Sequence, residues 1–438
     1  MDASELRRRS ARGAGGIPPA LVTLLIRLGH TDVVLRHAAA GDWNCASAWA
    51  AAAVERGEAD AAVEMLLPFA DAGVWSVTDL TARTLAAAGR VDEALALARA
   101  LPDDPEKAAI LEHTALKLQA DLLVAHGRRH EAFELLLPYA GHWKLTAAWI
   151  TAAEGLGRDA EVAERLIATA AGPSGAKTED LAEALIRSGR AAEAEKALRR
   201  RVMINDLVYT GPLRKLVDLL VVQGRENAVR ELIAGPAGRW AAVRFAEILE
   251  NRGDRDAALA TLAPFGTVDH DRQLAYGEML LRAGRLEEAT EVLAALDSGP
   301  VPGLGLHALC RALAKHGRHT EALALIDDVA DRAGGMTMGL LTLRATALAD
   351  RDGVDQAIAE LRAHPGGDGD ATAAAFHSAL LLSRARRWED AVGVLAPLSG
   401  RLRWASLKCA EALLRLGRIE EGIELALKWE PPKRDLTA

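Results

Sequence analysis

Two histidine pairs and one glycine-rich segment are where residue type and spacing first suggest chemistry in this 438-residue chain. His126 and His130 stand in His-Gly-Arg-Arg-His, and His316 and His319 in His-Gly-Arg-His. A zinc centre needs further His, Cys or carboxylate ligands within reach, and neither pair has a neighbouring cysteine or third histidine. Both straddle a glycine turn, so they read as solvated turn residues. The segment Gly172-Pro-Ser-Gly-Ala-Lys-Thr178 has the composition of a phosphate-cradling loop. In such loops glycine and lysine are adjacent and a strand leads in; here Ala176 separates them and no strand pattern precedes. Cys45, Cys310 and Cys409 lie far apart in no metal-binding or disulfide spacing, which points to a reducing compartment. Neither a His-Glu-x-x-His helix nor a Gly-x-Ser-x-Gly elbow occurs. The expectation is therefore a protein that is not an enzyme, with no catalytic residue, no cofactor and no metal.

Composition narrows the partner. Half of the residues are hydrophobic but only 4% are aromatic, and alanine and leucine dominate, which favours closely packed helices over sheets. A net charge of −8 is the wrong sign for coating nucleic acid or anionic lipid. Arg7, Arg8 and Arg9 precede an apolar run from Ile17 to Ile26, a faint export pattern. Pro18 and Pro19 interrupt the run, Arg27 ends it, and Asp2 and Glu5 sit ahead of it. No stretch reaches the ~18 apolar residues of a membrane helix. A cytoplasmic location is expected.

The elements that must position any site are set by a repeat. Gly-Arg-x-x-Glu-Ala appears at Gly89–Ala94, Gly127–Ala132, Gly189–Ala194, Gly284–Ala289 and Gly317–Ala322. Looser copies start at Gly29, Gly57, Gly157, Gly224, Gly253 and Gly417, and two lack the glycine in register, at Asp352 and Arg386. Successive copies are 28 to 38 residues apart. Four residues before the turn stands leucine in eleven of thirteen copies, and seven before it a small residue in ten, among them Ala82, Ala246, Gly277 and Ala379. Positions three apart share one helix face, so the small residue lets the next helix approach while the leucine fills the space beside it. Glycine just past a helix end supplies the left-handed cap, and the arginine after it adds charge near the helix carbonyl end. Each unit is a first helix (A), a tight turn and a second helix (B), and hairpins of this kind must stack to bury their faces. Pro68, Pro138, Pro264 and Pro397 each lie eleven residues after their turn and mark a kink or stop near the end of a B helix. Breakers concentrate at Ala171–Thr178, Gly299–Gly305 and Pro365–Asp370 without separating independent domains. The predicted fold is an all-α solenoid of about thirteen antiparallel hairpins. It forms a single continuous domain over residues 1–438, with a loosely ordered amino terminus (1–16) and a carboxyl tail (430–438).

These columns resemble the tetratricopeptide repeat over nearly the whole chain, from about Val22 to Trp429. Ala246-x-x-Leu249 and Gly277-x-x-Leu280 occupy the family's paired positions in helix A, and Ala258 and Ala289 its alanine in helix B. Leucine stands where the consensus has an aromatic, and repeat length varies around thirty-two, so the chain resembles a divergent member. The resemblance implies a right-handed superhelix whose A helices line a concave groove for a peptide, loop or helix of a partner protein. Gly-Arg-Leu-Glu-Glu-Ala at Gly284–Ala289 is also similar to the phrasing of pentatricopeptide RNA readers. That gives single-stranded RNA binding as the alternative function, with a small-molecule sensor or an enzyme built on the array behind it.

Two sets of residues are candidates for the groove. Six residues before the turn stand Asp121, Glu183, Asp218, Glu247, Glu278 and Glu411. The plain reading is a solvated face, because Glu183–Arg187, Glu278–Arg282 and Glu411–Arg415 have the spacing of pairs within one helix. The functional reading is a surface for a basic segment of another protein. Trp43, Trp75 and Trp143 lie fourteen residues before their turns, and Trp240 and Trp404 thirteen before. At the opening of helix A their rings would anchor a partner or fill the seam between hairpins, whereas Trp49 and Trp149 sit deeper and read as packing. The last helix, from about Ile419 to Trp429, carries more apolar residues than one buried face needs, so self-association through it is a further expectation.

Overall fold

The computed structural model describes residues 16–70, 75–101, 105–169, 177–204, 207–266, 270–296, 304–332, 334–364 and 368–428. Twenty-six α-helices run through them, and the one sheet among the described residues is an antiparallel pair, Met203–Ile204 with Leu207–Val208. The helices group into two compact units, residues 1–219 and 220–438, with the division inside helix Thr210–Val222. Before that helix, the first unit pairs Pro19–Arg27 with Thr31–Ala39, Trp43–Glu55 with Ala59–Ala70, and Trp75–Ala87 with Val91–Arg99. It continues with Pro105–Ala125 and Arg129–Leu136, Thr146–Ala153 and Asp159–Thr169, and Thr178–Arg187 and Ala191–Val202. The second unit opens with Glu226–Ala234 and pairs Gly238–Asn251 with Arg255–Leu262, His270–Arg282 with Leu286–Leu296, and Leu304–Lys315 with His319–Arg332. Met338–Arg351 with Val354–Ala363, Asp368–Arg384 with Trp388–Ser399, and Arg403–Arg415 with Ile419–Leu427 complete it.

The core is built from the predicted columns. Ala50, Ala82, Ala120, Ala182, Ala246, Cys310, Ala345, Ala379 and Ala410 are all buried, as are the leucines three residues after most of them. At Gly277 the approach is close: a Cβ there would meet the Leu293 side chain at 2.4 Å. The apolar run of the amino-terminal segment is core as well, with Ile17, Val22 and Leu25 fully buried in the first hairpin. This is the tetratricopeptide-like arrangement in a divergent form. Residues 1–15 and 429–438, and so Trp429, lie outside the described residues, as do 171–176 and 299–303.

The turns show why glycine recurs. At Gly89 the φ angle is +79°, the Gly89 N–H donates to the Ala86 carbonyl, and the Arg90 N–H donates to that of Leu85, closing the helix with a left-handed cap. The same cap forms at Arg386, which takes φ +58° without being glycine, while the Arg387 N–H donates to the Leu382 carbonyl. The Asp352 turn is built differently. Only two residues separate Arg351 from Val354, and Gly353 adopts φ 101° and ψ 161°, a conformation essentially reserved for glycine. The glycine one place late therefore belongs to a shorter turn rather than to a displaced copy of the common one.

The four prolines split into two classes. Pro138 and Pro264 end the α-helix and start a single 3₁₀ turn, Leu137–Tyr139 and Ala263–Phe265. Pro68 and Pro397 stay inside the last turn of their helices, each removing one backbone donor there.

Candidate functional site

The arginine of the repeat phrase does something that charge placement alone did not foretell. It stands at the start of helix B and forks onto the glutamate three residues later. Arg90 Nε and Nη2 donate to the two Glu93 carboxylate oxygens at 2.8 and 2.6 Å. Arg128 repeats the fork on Glu131 at 2.7 and 2.6 Å and turns Nη1 to Asp92 of the preceding B helix at 2.7 Å. In the first unit Arg158 bridges Glu161 to Glu134, and Arg190 bridges Glu193 to Glu164. In the second, Arg318 joins Glu321 to Glu287, Arg387 joins Asp390 to Asp355, and Arg418 joins Glu421 to Glu389. A planar guanidinium with five donors can serve two carboxylates at once, which lysine cannot do in this geometry. The hydrogen bonds hold Glu93, Glu131, Glu193, Glu321 and Glu421 below the ordinary glutamate range. The signal was present in the phrase itself, because its Arg and Glu are three apart. Where the arginine is present, the start of helix B is thus part of a ladder of paired charge.

The acidic column lies on the A helices and is half-buried throughout. Most of its members are also neutralised. Asp121 takes Lys117 at 2.7 Å and faces Arg83 of the preceding A helix at 3.7 Å. Glu183 pairs with Lys215, Glu247 with Arg244 at 3.0 Å, and Glu411 with Lys408 at 2.9 Å and Arg415 at 3.5 Å. Asp218 is half-buried on Thr210–Val222, and Glu278 on His270–Arg282. Two of the three expected pairs within one helix give way to pairs between hairpins. Arg187 goes to Asp159 at 2.6 Å rather than to Glu183, and Arg282 forks onto Glu250 at 2.8 and 3.0 Å rather than onto Glu278. Stacking of hairpins brings these carboxylates into reach, Glu250 from the preceding A helix and Asp159 from the start of the preceding B helix, and the bidentate fork onto Glu250 exceeds a single contact along one helix.

The tryptophans mostly fill seams. Trp43 lies against Phe69 with ring centroids 5.5 Å apart, Trp404 meets Phe376 edge-on at 4.8 Å, and Trp240 is covered by the Arg239 and Arg272 guanidiniums at 3.9 and 5.0 Å. Trp75 is half-buried at the start of its helix, and Trp49 and Trp149 are buried. Trp143 differs: it sits in the turn before Thr146–Ala153 and remains 49% exposed. Beside it His142 stacks flat on His113 at 4.0 Å, and Tyr139 meets His113 edge-on. Partial burial, reinforced by His113 and Lys144, holds His142 below the ordinary imidazole range. No repeat column pointed to this cluster, because its members come from a turn and from the extended helix Pro105–Ala125.

A hollow of about 520 Å³ opens on the A-helix side of the second unit. Three successive A helices line it: His307, Cys310, Arg311, Ala314 and Lys315 from the first, Leu343, Thr346 and Asp350 among those of the second, and His377 and Arg384 from the third. These helices pack on one another in sequence order. Burial holds His377 below the ordinary imidazole range, so it is neutral near pH 7. Asp350 is tied to Arg384. Among the described residues, no three His, Cys, Asp or Glu side chains are grouped as a metal site, and no helix is long and apolar enough to cross a membrane. His126 and His130 are exposed on either side of Gly127. The three cysteines are buried and form no disulfide, and burial raises the Cys45 and Cys409 thiols, so neither of these two is a ready nucleophile.

No protein-family model matches the chain, and no curated protein matches it. Solved structures resemble it, among them these two. One is a chain of Naa15/Naa10 bound to HypK-THB, at 13% identity over 93% of this chain and 75% of that one, with a TM-score of 0.39. The other is the pentatricopeptide repeat protein PPR10 from maize, at 15% identity over 96% and 70%, with a TM-score of 0.34.

Proposed function

We propose that the chain is a protein-binding scaffold whose A-helix faces engage an extended segment, loop or helix of a partner protein. The observation that supports this most is the hollow spanning three successive A helices. Its floor of Cys310, Ala314, Leu343 and Ala347 is apolar, and polar groups rim it, which is the make-up of a site that takes a side chain and fixes its neighbours. The contrast between faces supports it too. In the second unit the arginine ladder on the B helices satisfies its own carboxylates, whereas three successive A helices leave an opening.

The test is a selection of random dodecapeptides on the purified full chain, followed by titration of the enriched peptides. Substitutions on A helices, such as Leu343→Ser with Thr346→Glu, should weaken binding at least tenfold. A change on the B side, such as Glu131→Gln, should leave it within twofold. The proposal fails if no peptide is enriched, or if B-side changes abolish binding while A-side changes do not. It fails equally if a single-stranded RNA binds through the A face and displaces nothing but RNA.

A further inference from the structure

The register of the acidic column changes sign inside the second unit. Counting six residues back from each turn gives Glu247, Glu278, Arg311, Thr346, Leu380 and Glu411. The carboxylate is thus lost in three successive hairpins, and two of the replacements, Arg311 and Thr346, line the 520 Å³ hollow. His307, Arg311 and Lys315 are spaced four apart and form one stripe along Leu304–Lys315, with all three exposed. Most described arginines of this chain are tied to a carboxylate, but neither Arg311 nor Lys315 forms an ion pair or a hydrogen bond among the described residues. Arg384 adds a third cation on the opposite rim, partly balanced by Asp350. The groove therefore has an apolar floor, two uncompensated cations on one wall and one negative group in all.

We propose that this groove binds an acidic, extended segment of a partner protein, with Arg311 and Lys315 receiving two carboxylates and small side chains lying over Leu343 and Ala347. The assignment rests on the scaffold reading above and gives that reading its partner chemistry at this end of the chain. Geometry suits an extended strand. Four residues of helix advance about 6 Å, and side chains two apart on a strand are separated by about 6.6–7 Å. Carboxylates at positions i and i+2 would thus reach Arg311 and Lys315 together. A single-stranded RNA would want planes on which to stack its bases. No tryptophan, tyrosine or phenylalanine lines the groove. The sign is opposite to that expected for the column as a whole, because most of the acids elsewhere in the column already carry lysine or arginine partners.

The experiment uses the full chain and four fluorescent dodecamer probes: alternating Glu-Ala, alternating Gln-Ala, alternating Lys-Ala, and oligouridine. The Glu-Ala peptide should bind, and its affinity should fall at least tenfold between low and high salt. The Gln-Ala and Lys-Ala peptides should bind at least tenfold more weakly. Arg311→Glu with Lys315→Glu should reduce affinity for Glu-Ala at least tenfold at unchanged helical circular dichroism. The charge-matched control Arg362→Glu with Arg401→Glu, placed outside the groove, should reduce it less than threefold. Binding of the Glu-Ala peptide that ignores the Arg311 and Lys315 changes overturns this assignment and leaves the scaffold reading standing. Preference for the Lys-Ala peptide overturns it in the same way. If no peptide binds and oligouridine does, with loss in the Arg311 and Lys315 variant, both readings fall.

Discussion

Arg386→Gly should stabilise the protein, although it removes a side chain and adds none. Arg386 takes φ +58° in a cap where the corresponding residues at Gly189, Gly253, Gly284, Gly317 and Gly417 are glycine. Holding a residue with a Cβ in the left-handed region costs roughly 1–2 kcal/mol. Glycine returns part of that through the greater freedom of the unfolded chain, about 0.4–1 kcal/mol. The arginine head is exposed and makes no ion pair among the described residues, so nothing offsets the gain. The net expectation is a stabilisation of about 0.5–1 kcal/mol. A stack of hairpins need not unfold in one step, so a global melt is the weaker readout. Native-state hydrogen exchange is better: amides of Asp368–Arg384 and Trp388–Ser399 should slow about two- to fivefold, while those of Trp43–Glu55 stay unchanged. The reverse change, Gly417→Arg, should cost a similar amount and act on Arg403–Arg415 and Ile419–Leu427. No change at Arg386→Gly, or a loss of protection, would refute the strain argument.

Gly353→Ala should destabilise by about 1–3 kcal/mol, more than the ~1 kcal/mol of Gly417→Ala, because ψ 161° at this φ is closed to residues with a Cβ; paired urea melts check the order. Ala246→Leu and Gly277→Ala should each cost about 1–3 kcal/mol by overpacking, since Ala246 is fully buried and a Cβ at position 277 would strike Leu293, whereas Glu278→Gln should be near neutral; equal losses in all three would contradict the packing. Acid should unfold the chain through its forks. Glu93, Glu131, Glu193, Glu321 and Glu421 titrate below the ordinary 4.5 when folded, so the stability they supply is complete above pH 4.5 and is lost as pH falls through their lower folded values, which a pH series of thermal melts would reveal.

The architecture was legible because its signals are local and repeated. Glycine turns, a small residue seven before and a leucine four before each describe one helix end and one packed face, and the buried positions coincide with those columns. The pairing of charges was less legible. Glu183 and Arg187 stand four apart in sequence, but the stacking of hairpins brings Lys215 of the next A helix and Asp159 of the preceding B helix closer, and distance in sequence does not encode that choice. Tryptophan position was legible and role was not: Trp43 and Trp404 meet aromatic neighbours supplied by other helices, while Trp143 lies outside its helix beside a histidine stack. The groove on the second unit went unread because it is marked by an interruption. The sequence carries an acidic column, and the feature that suggests binding is where the column turns into Arg311 and Thr346.

Hydrogen–deuterium exchange on the full chain, with and without a bound peptide selected by affinity, tests most directly whether partners engage the A-helix face. Protection confined to Leu304–Lys315, Met338–Arg351 and Asp368–Arg384, with the intervening B helices unchanged, is the result this account predicts. Protection concentrated on His319–Arg332 and Trp388–Ser399, or no footprint on the second unit under saturating peptide, would contradict it.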